Sequence, residues 1–341
     1  MSAGLPRVTA IVVAYGAEPW LEGAVTSLLG SRGVSVDVVL VDNGCTDGAV
    51  DRLDGTAGVT VVRPGANTGF AGGCNLGAAA ATGDLLALVN PDTRIDADAL
   101  ARLCAVAARP EVGIATGSIR LADDPDRLNS AGNEIHISGL SWSGHFGELG
   151  ADHGRERSAM GASGAGMALR RDVWDDLDGF DEAYFAYHED TELSLRCWQS
   201  GRRVVYVPDA VVVHRYEFGR TPTKMFLLER NRAQLVLTCY SLRLIVAALP
   251  VFAVVELGTI ALSVVQGWWR QKLRAWWWLA THPGTVLRRR RWVQSRRRTR
   301  DREIVPMLSV HLEPGNGPSA PGAGAMSAAI AAYWRLGRRL V

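Results

Sequence analysis

Cysteine is scarce in this chain of 341 residues. The five cysteines, at positions 45, 74, 104, 197 and 239, show no short spacing and no Cys-x-x-Cys motif. Disulfide frameworks and cysteine zinc sites both need such spacings, so the pattern argues against either. We therefore expect a reducing compartment, with the cytosol as the default.

The N-terminus lacks the features of a secretion signal. Its apolar run, residues 8–14, is short and has no basic region before it. We therefore expect no signal peptide and interpret the run as a first strand. The chain is long enough for one large α/β domain with an appendage, or for two modest domains.

Acidic residues are almost missing from one segment. Residues 270–302 contain twelve Lys/Arg and a single Asp, a net charge of +11, although the whole chain carries +2. Six of the eleven tryptophans lie in or just beside this segment. Tryptophan next to Arg and Lys is typical of a membrane-interface anchor. The composition predicts a membrane surface as the partner of residues 244–302, with nucleic acid as the alternative, since basic runs also bind it.

A long apolar run, residues 244–266, precedes the basic segment and is interrupted by Pro250 and Glu256. Its length would allow a transmembrane helix. With a cytosolic N-terminal domain, however, a single span would put the basic segment on the outer face, against the positive-inside rule. We expect in-plane or re-entrant helices at the cytoplasmic face instead.

The N-terminal half alternates strand-like and helix-like patterns. This alternation predicts an α/β fold with a doubly wound, mostly parallel sheet flanked by helices. The apolar run 85–89 is interpreted as a central strand, which Pro91 ends because it has no N–H to donate. Asn90 and Asp92 would then lie at the carboxyl end of the strand, where ligands bind in such sheets. The alternative for Asp92 is an Asx turn.

Further acidic groups and a histidine follow other predicted strand ends or begin helices. Asp42 would accept from a ribose hydroxyl or a base N–H. Asp92 and His214 together would hold Mn²⁺ or Mg²⁺, which would neutralise a diphosphate. Asp190, at the N-terminus of a predicted helix, would be a general base, with Glu189 as the second choice.

Purely structural roles for some of these residues stay open. Asp42 would serve equally well as a turn residue, and a lone histidine such as His214 is more often structural than a ligand. Glu192 and Arg196, spaced i and i+4, are expected to be a surface or hinge ion pair. The apolar runs 204–207 and 211–213 are interpreted as two short strands. Residues 122–157 have weak periodicity and receive no assigned element.

Several motifs in one order resemble inverting family 2 glycosyltransferases of the GT-A fold, and within them the bacterial rhamnosyltransferase-like members. The resemblance covers residues 1–220 and extends more weakly through 225–232. The motifs are VVAYG at 12–16, DNGCTDG at 42–48, NTGFAGGCN at 67–75, LVNPDT at 88–93, GASGAGMALRRDVWDDLDGFDEAYFAYHEDTELSLR at 161–196 and VPDAVVVH at 207–214.

The resemblance implies roles for individual residues. Asp92 is the metal-binding acid, His214 lies near the metal and the diphosphate, and Asp190 is the catalytic base. The donor-binding positions it implies are Tyr15, Asp42, Asn67, Asn90 and Asp92.

Three residues depart from the family pattern. Gly16 stands where the family usually has Asn, and Cys45 where it often has Ser. Asn90 replaces the first Asp of the D-x-D motif, which leaves one metal-facing carboxylate instead of two.

We therefore expect an inverting, metal-dependent glycosyltransferase that transfers rhamnose or a similar hexose from a dTDP- or UDP-sugar to a lipid-linked acceptor in cell-surface polysaccharide assembly. Residues 1–220 would form the catalytic domain, 221–305 membrane-associating helices, and 306–341 a flexible tail with a short terminal helix over 328–340. Nucleotidyl transfer is less favoured, because no Gly-rich loop bearing Arg or Lys is present to hold a triphosphate. The alternative from another class is a non-catalytic membrane or nucleic-acid binder that uses residues 270–302; we expect no nucleic-acid partner.

Overall fold

The computed structural model describes residues 4–216, 219–312 and 323–341. These residues form two compact units. The first contains residues 4–133, 143–197 and 202–216. The second contains residues 134–142, 198–201 and the described residues from 219 onward.

Twelve strands lie in the described residues, and ten of them form one sheet in the first unit. In chain order they are β1 Arg7–Gly16, β2 Ser35–Cys45, β3 Val59–Val62, β4 Leu85–Val89, β5 Thr93–Ile95, β6 Val112–Leu121, β7 Asp124–Ser130, β8 Asn133–Ile135, β9 Ser141–Ser143, β10 Arg157–Ser158, β11 Gly166–Arg170 and β12 Arg203–His214. β8 and β9 pair only with each other. The helices that alternate with the strands are α1 Leu21–Leu29, α2 Ala49–Leu53, α3 Gly69–Ala80, α4 Ala99–Ala107, α5 Arg171–Leu177 and α6 Glu189–Gln199.

The strand order is β10-β12-β6-β11-β4-β1-β2-β3, with β5 on β12 and β7 on β6. β4, β1, β2 and β3 run parallel, as do β6 and β12. β11 lies between these two blocks and runs antiparallel to both of its neighbours. The prediction of a mostly parallel α/β sheet flanked by helices is confirmed, and β11 is the exception inside it.

Two strand assignments made from the sequence need correction or completion. The runs 204–207 and 211–213 were expected to be separate strands, but they belong to the single strand β12. A register shift between Val207 and Val211 absorbs Pro208 and lets the pairing with β6 continue. The unassigned region 122–157 contains β7 to β10, whose short lengths and distant pairing partners leave no periodic signal in the sequence.

The second unit is helical. Its helices are α7 Pro222–Cys239, α8 Leu242–Val265, α9 Trp269–Thr281, α10 Pro283–Ser295, α11 Asp301–Ile304 and α12 Ala323–Gly337. Helix α7 lies within the segment 221–305 that was predicted to be helical, but its middle is a run of polar residues, all of which are buried. Thr221 caps it by accepting from the N–H of Lys224.

Within the described part of the chain, α8 alone is long and apolar enough to cross a membrane, judged by length and composition. Over its most apolar 18 residues the mean hydropathy is 2.3, and 28% of that stretch is buried. The helix continues through Pro250. Within the predicted tail, residues 313–322 lie outside the described residues. The terminal helix was expected to begin at residue 328, but α12 begins at Ala323. The predicted domain boundaries stay predictions.

Candidate active site

Asp92 and His214 come together at the carboxyl end of the sheet. Pro91 follows β4 closely, and the chain then enters β5, which pairs with the end of β12 and sets Thr93 opposite His214. The N–H of Arg215 donates to the carbonyl of Asp92 at 3.0 Å. As a result, Asp92 Oδ1 lies 3.3 Å from His214 Nε2. The strand pairing thus makes neighbours of two residues that are distant in the chain.

The orientation of the His214 ring is set by Asn129, which the sequence reasoning missed. Asn129 lies on β7, and its Oδ1 is 2.9 Å from His214 Nδ1. An amide oxygen only accepts, so Nδ1 carries the hydrogen and Nε2 of the neutral ring presents its lone pair to Asp92. Histidines that bind metals are typically oriented in this way through their second nitrogen.

The Asp92 and His214 donor set fits a divalent cation. Asp92 Oδ1 is buried, and no hydrogen-bond donor among the described residues reaches it in bonding geometry. A carboxylate oxygen and an imidazole lone pair that face each other at 3.3 Å repel unless a proton or a cation lies between them. A donor set of one oxygen and one nitrogen suits Mn²⁺ better than Mg²⁺, because Mg²⁺ is typically bound by oxygen ligands only.

A second carboxyl group that the sequence reasoning missed lies close to this pair. Burial, followed by the charge of Asp92, raises the pKa of Glu18 to about 7. Its backbone N–H donates to Asp47 Oδ2 at 2.8 Å, which ties the loop after β1 to the loop after β2. The effect of Asp92 on this pKa indicates an excess of negative charge at the site, which a cation would relieve.

Tyr15 and Asp42 lie at the adjacent ends of β1 and β2, where Ala14 pairs with Asp42. The Tyr15 side chain is 60% exposed, and a Cβ added to Gly44 would lie 3.6 Å from its ring. Asp42 Oδ1 accepts from the N–H groups of Gly44 and Cys45. Asp42 is therefore a turn residue as well as a candidate donor contact, and its second oxygen faces Arg63 at 3.6 Å.

Asn67 is exposed, but its Oδ1 is engaged within the fold. It accepts from Asn43 Nδ2 at 2.9 Å and from the N–H of Gly69 at 2.8 Å. Asn43 is buried and also accepts from Thr68 through both the backbone N–H and the hydroxyl. These bonds fasten the start of α3 to the end of β2. Asn90 is partly exposed directly after β4, as expected.

Asp190 is the second residue of α6 and is held by several donors. Its Oδ2 accepts from the N–H of Gly164 at 3.1 Å, and its Oδ1 accepts from the N–H of Thr191 at 2.7 Å. Asn133 Nδ2 lies 3.4 Å from Oδ2. Burial nevertheless raises the pKa of Asp190, and the hydrogen bonds only partly counteract it.

Glu189 differs from its neighbour. It is buried, and its Oε2 has no hydrogen-bond partner among the described residues. Burial, and after it the charge of Asp190, raises the pKa of Glu189 well above its usual range. Burial raises the pKa of both neighbours, but only Asp190 has hydrogen bonds from Gly164 and Thr191 that favour its ionised form.

The loop before α6 is conformationally strained. Phe185, Tyr187 and His188 all have φ values between 64° and 68°, the left-handed region that costs non-glycine residues about 1–3 kcal/mol each. Gly69 makes room for this loop, since a Cβ there would lie 2.3 Å from the Phe185 carbonyl oxygen. Such strain is commonly stored beside functional groups, and here it directly precedes the Glu189-Asp190 pair.

The Glu192–Arg196 pair was expected at the surface or at a hinge, and that expectation was wrong. Both side chains are buried, and Arg196 Nη2 lies 2.6 Å from Glu192 Oε2. Arg196 also donates to the carbonyls of Leu177 and Gly179. The pair fastens the carboxyl end of α5 to α6, behind the candidate base.

Acids and a histidine at the carboxyl edge of a mostly parallel sheet lie where α/β proteins of the nucleotide-binding class hold their ligands. Residues 6–236 match the family model described as Glycosyltransferase like family 2. The chain is also 30% identical over 263 residues to the N-acetylglucosaminyl-diphospho-decaprenol L-rhamnosyltransferase of Mycobacterium tuberculosis, a match that covers 65% of this chain and 84% of that relative. The chain therefore belongs to glycosyltransferase family 2. It is a glycosyltransferase of the bacterial rhamnosyltransferase type, as its motifs predicted.

Solved structures share the GT-A fold. TarS 1–349 from S. aureus, solved with UDP-GlcNAc, gives a TM-score of 0.55 at 14% identity and covers 97% of this chain and 92% of its own. The mannosyltransferase PcManGT from Pyrobaculum calidifontis, solved with GDP-Man and Mn²⁺, gives 0.53 at 20% identity and covers 88% and 85%. At these identities the similarity establishes the fold alone.

Proposed function

We propose that this glycosyltransferase is inverting and metal-dependent, and that it transfers rhamnose or a similar hexose from a dTDP- or UDP-sugar to a lipid-linked saccharide. The transfer would take place at the cytoplasmic face of the cell membrane, in the assembly of a cell-surface polysaccharide. The contact between Asp92 and His214 at the carboxyl edge of the sheet carries the proposal.

Asp92 Oδ1 and His214 Nε2 would hold Mn²⁺ or Mg²⁺, with Asn129 keeping the imidazole turned toward Asp92. When bound, the cation supplies positive charge to the leaving diphosphate. The exposed ring of Tyr15 offers a face for the nucleobase, and Asp42 offers an acceptor for a ribose or base donor.

Asp190 would take the proton of the acceptor hydroxyl in a single displacement. The bonds from Gly164 and Thr191 fix the direction of its carboxylate. Its buried position raises its basicity above that of an exposed aspartate, which favours proton abstraction. Attack opposite the leaving diphosphate would invert the configuration of the transferred sugar.

The sugar and the acceptor are proposed from the mycobacterial relative. That enzyme is named as an L-rhamnosyltransferase acting on N-acetylglucosaminyl-diphospho-decaprenol, and this chain covers 84% of it. A polyprenyl diphosphate acceptor lies in a membrane, so the enzyme would have to work at a membrane surface.

The helical unit supports such an attachment. Helix α8 exposes Leu242, Leu257 and Val265, and α9 exposes Trp276 and Trp277. The basic residues of α9 and α10 would face anionic headgroups, and the exposed apolar and Trp side chains favour lipid over nucleic acid.

Charged contacts at the middle of α8 favour an in-plane arrangement. Glu256 is bonded to Arg232 of α7 and lies 3.0 Å from Lys272 of α9. Helix α8 would be about 36 Å long at 1.5 Å per residue, enough for a hydrocarbon core of about 30 Å. A span would, however, draw the two basic side chains and their helices toward the bilayer centre, where charges are costly.

The test is thermal stabilisation of the purified protein by UDP-, dTDP- and GDP-sugars, each with and without Mn²⁺. A ligand at 100 times its Kd should stabilise the protein by about 2.7 kcal/mol, and the true donor should do so more strongly with Mn²⁺. Failure of every sugar nucleotide to stabilise the protein in Mn²⁺ would contradict the proposal. With the donor known, transfer to a polyprenyl-diphosphate-linked N-acetylglucosamine should give product of inverted anomeric configuration.

A further inference from the structure

Two histidines and a glutamate meet on the loop between β9 and β10. The Glu148 carboxylate contacts both imidazoles. His145 Nδ1 lies 3.3 Å from Glu148 Oε1, and His153 Nε2 lies 2.7 Å from Glu148 Oε2. The two rings are 4.2 Å apart between centroids. The candidate ligand atoms of the three residues all lie within 4.8 Å of one another.

We infer that His145, Glu148 and His153 form a second cation site, selective for Zn²⁺ and separate from the Asp92–His214 pair. Ligand atoms about 2.1 Å from a tetrahedral zinc are roughly 3.4 Å apart, close to the distance between His145 and Glu148. The His153 contact is shorter and would open slightly when zinc replaces the hydrogen that the two groups share. Two imidazoles and one carboxylate leave a fourth position for water.

The donor set makes the two sites chemically different. Affinity for a given site rises along the divalent series from Mn²⁺ toward Cu²⁺, with Zn²⁺ well above Mn²⁺, and imidazole favours zinc. Asp92 and His214 offer a single imidazole, whereas the loop cluster offers two. Zinc should therefore occupy the loop cluster at concentrations where Mn²⁺ does not.

The loop is joined to the strand that orients His214. The N–H of Leu128 donates to the carbonyl of Glu148 at 2.9 Å, and Leu128 precedes Asn129, the partner of His214. Phe146 packs edge-on against Tyr216, with ring centroids 5.7 Å apart. Zinc bound to the cluster would therefore fasten this loop beside the donor site, with its fourth position left open to water.

Zinc titration calorimetry of the full-length protein tests the site. We expect one equivalent of Zn²⁺ to bind to the wild type and to Asp92→Ala. The double variant His145→Asn/His153→Asn should lose that equivalent or bind it at least tenfold more weakly. The matched control is His282→Asn/His311→Asn, which removes two exposed histidines elsewhere and should bind zinc as the wild type does.

Amide exchange adds a readout that does not depend on catalysis. Zinc should slow exchange in residues 144–149 of the wild type and not in the His145/His153 variant. Glu148→Gln keeps the loop polar and serves as a second test in case the double variant folds poorly in chelator. It should show the same loss of zinc-dependent protection. Unchanged zinc binding in both cluster variants would overturn the site, as would zinc uptake that disappears only in Asp92→Ala.

Discussion

At the scale of single residues, Asp92 is the group on which metal dependence should rest. Asp92→Ala should abolish turnover in Mn²⁺ and leave the fold intact, because the residue follows a strand end and does not fill the core. The measurement is sugar transfer with added Mn²⁺, alongside a thermal melt. Asp209→Ala, which removes an exposed acid from β12, should be fully active. An Asp92→Ala enzyme that remains fully active in chelator would disprove the metal role.

Asn129 should act only through His214. Asn129→Ala removes the acceptor of the Nδ1 hydrogen and frees the ring to turn, so the apparent affinity for Mn²⁺ should fall about 10- to 100-fold. Activity as a function of Mn²⁺ concentration measures this change. Turnover at saturating Mn²⁺ should approach that of the wild type; a loss that saturating Mn²⁺ does not restore would show that Asn129 has another role.

The Glu189-Asp190 pair gives opposite expectations for two similar substitutions. Asp190→Asn removes the base, so kcat should fall by about 10²–10⁴ while the KM for the sugar nucleotide changes little. Glu189→Gln should be milder, because burial raises the pKa of Glu189 and so favours its neutral form, which a neutral amide resembles. Steady-state kinetics of both variants decides between them, and a near-normal Asp190→Asn enzyme beside an inactive Glu189→Gln enzyme would reverse the assignment.

At the scale of elements, the Glu192–Arg196 pair should govern the docking of α6. Arg196→Met leaves Glu192 buried without its counter-charge and removes two bonds to the end of α5, so the free energy of unfolding should fall by about 3–5 kcal/mol. Urea denaturation measures the loss. The control is Arg32→Met, which breaks an exposed pair with Asp98 and should cost less than about 1 kcal/mol. Equal effects of the two substitutions would show that the buried pair contributes nothing special.

At the scale of the whole molecule, membrane attachment is proposed to reside in the helical unit. Deletion of residues 244–341 should release the protein from membranes, because stable attachment needs two signals and the deletion removes both the apolar helix and the basic tryptophan-rich segment. Fractionation of cells, or flotation with anionic liposomes, measures the release. Cysteine labels introduced at 288–302 should react only from the cytosolic side; labelling from outside would establish a span and reject the in-plane arrangement.

The sequence by itself determined the class of the sheet and its central strand β4. The strand β4 and the turn at Asn90-Pro91-Asp92 were predicted, since a buried apolar run followed by proline has few alternatives. The order of motifs identified the family, and the structure brings Asp92 and His214 into contact, although their roles stay proposals. The local sequence pattern was enough to predict these features, because each of them depends on one short stretch of chain.

Only the tertiary structure decided which groups meet. Asn129 reaches His214 because β7 and β12 both pair with β6, a relation that no local pattern records. The Glu192–Arg196 spacing is the same for an exposed and a buried pair, and only the fold brings the carbonyls of Leu177 and Gly179 to Arg196. The buried polar run in α7 and the His145–Glu148–His153 cluster were likewise hidden, because the free energy of a polar side chain depends on partners that only folding supplies.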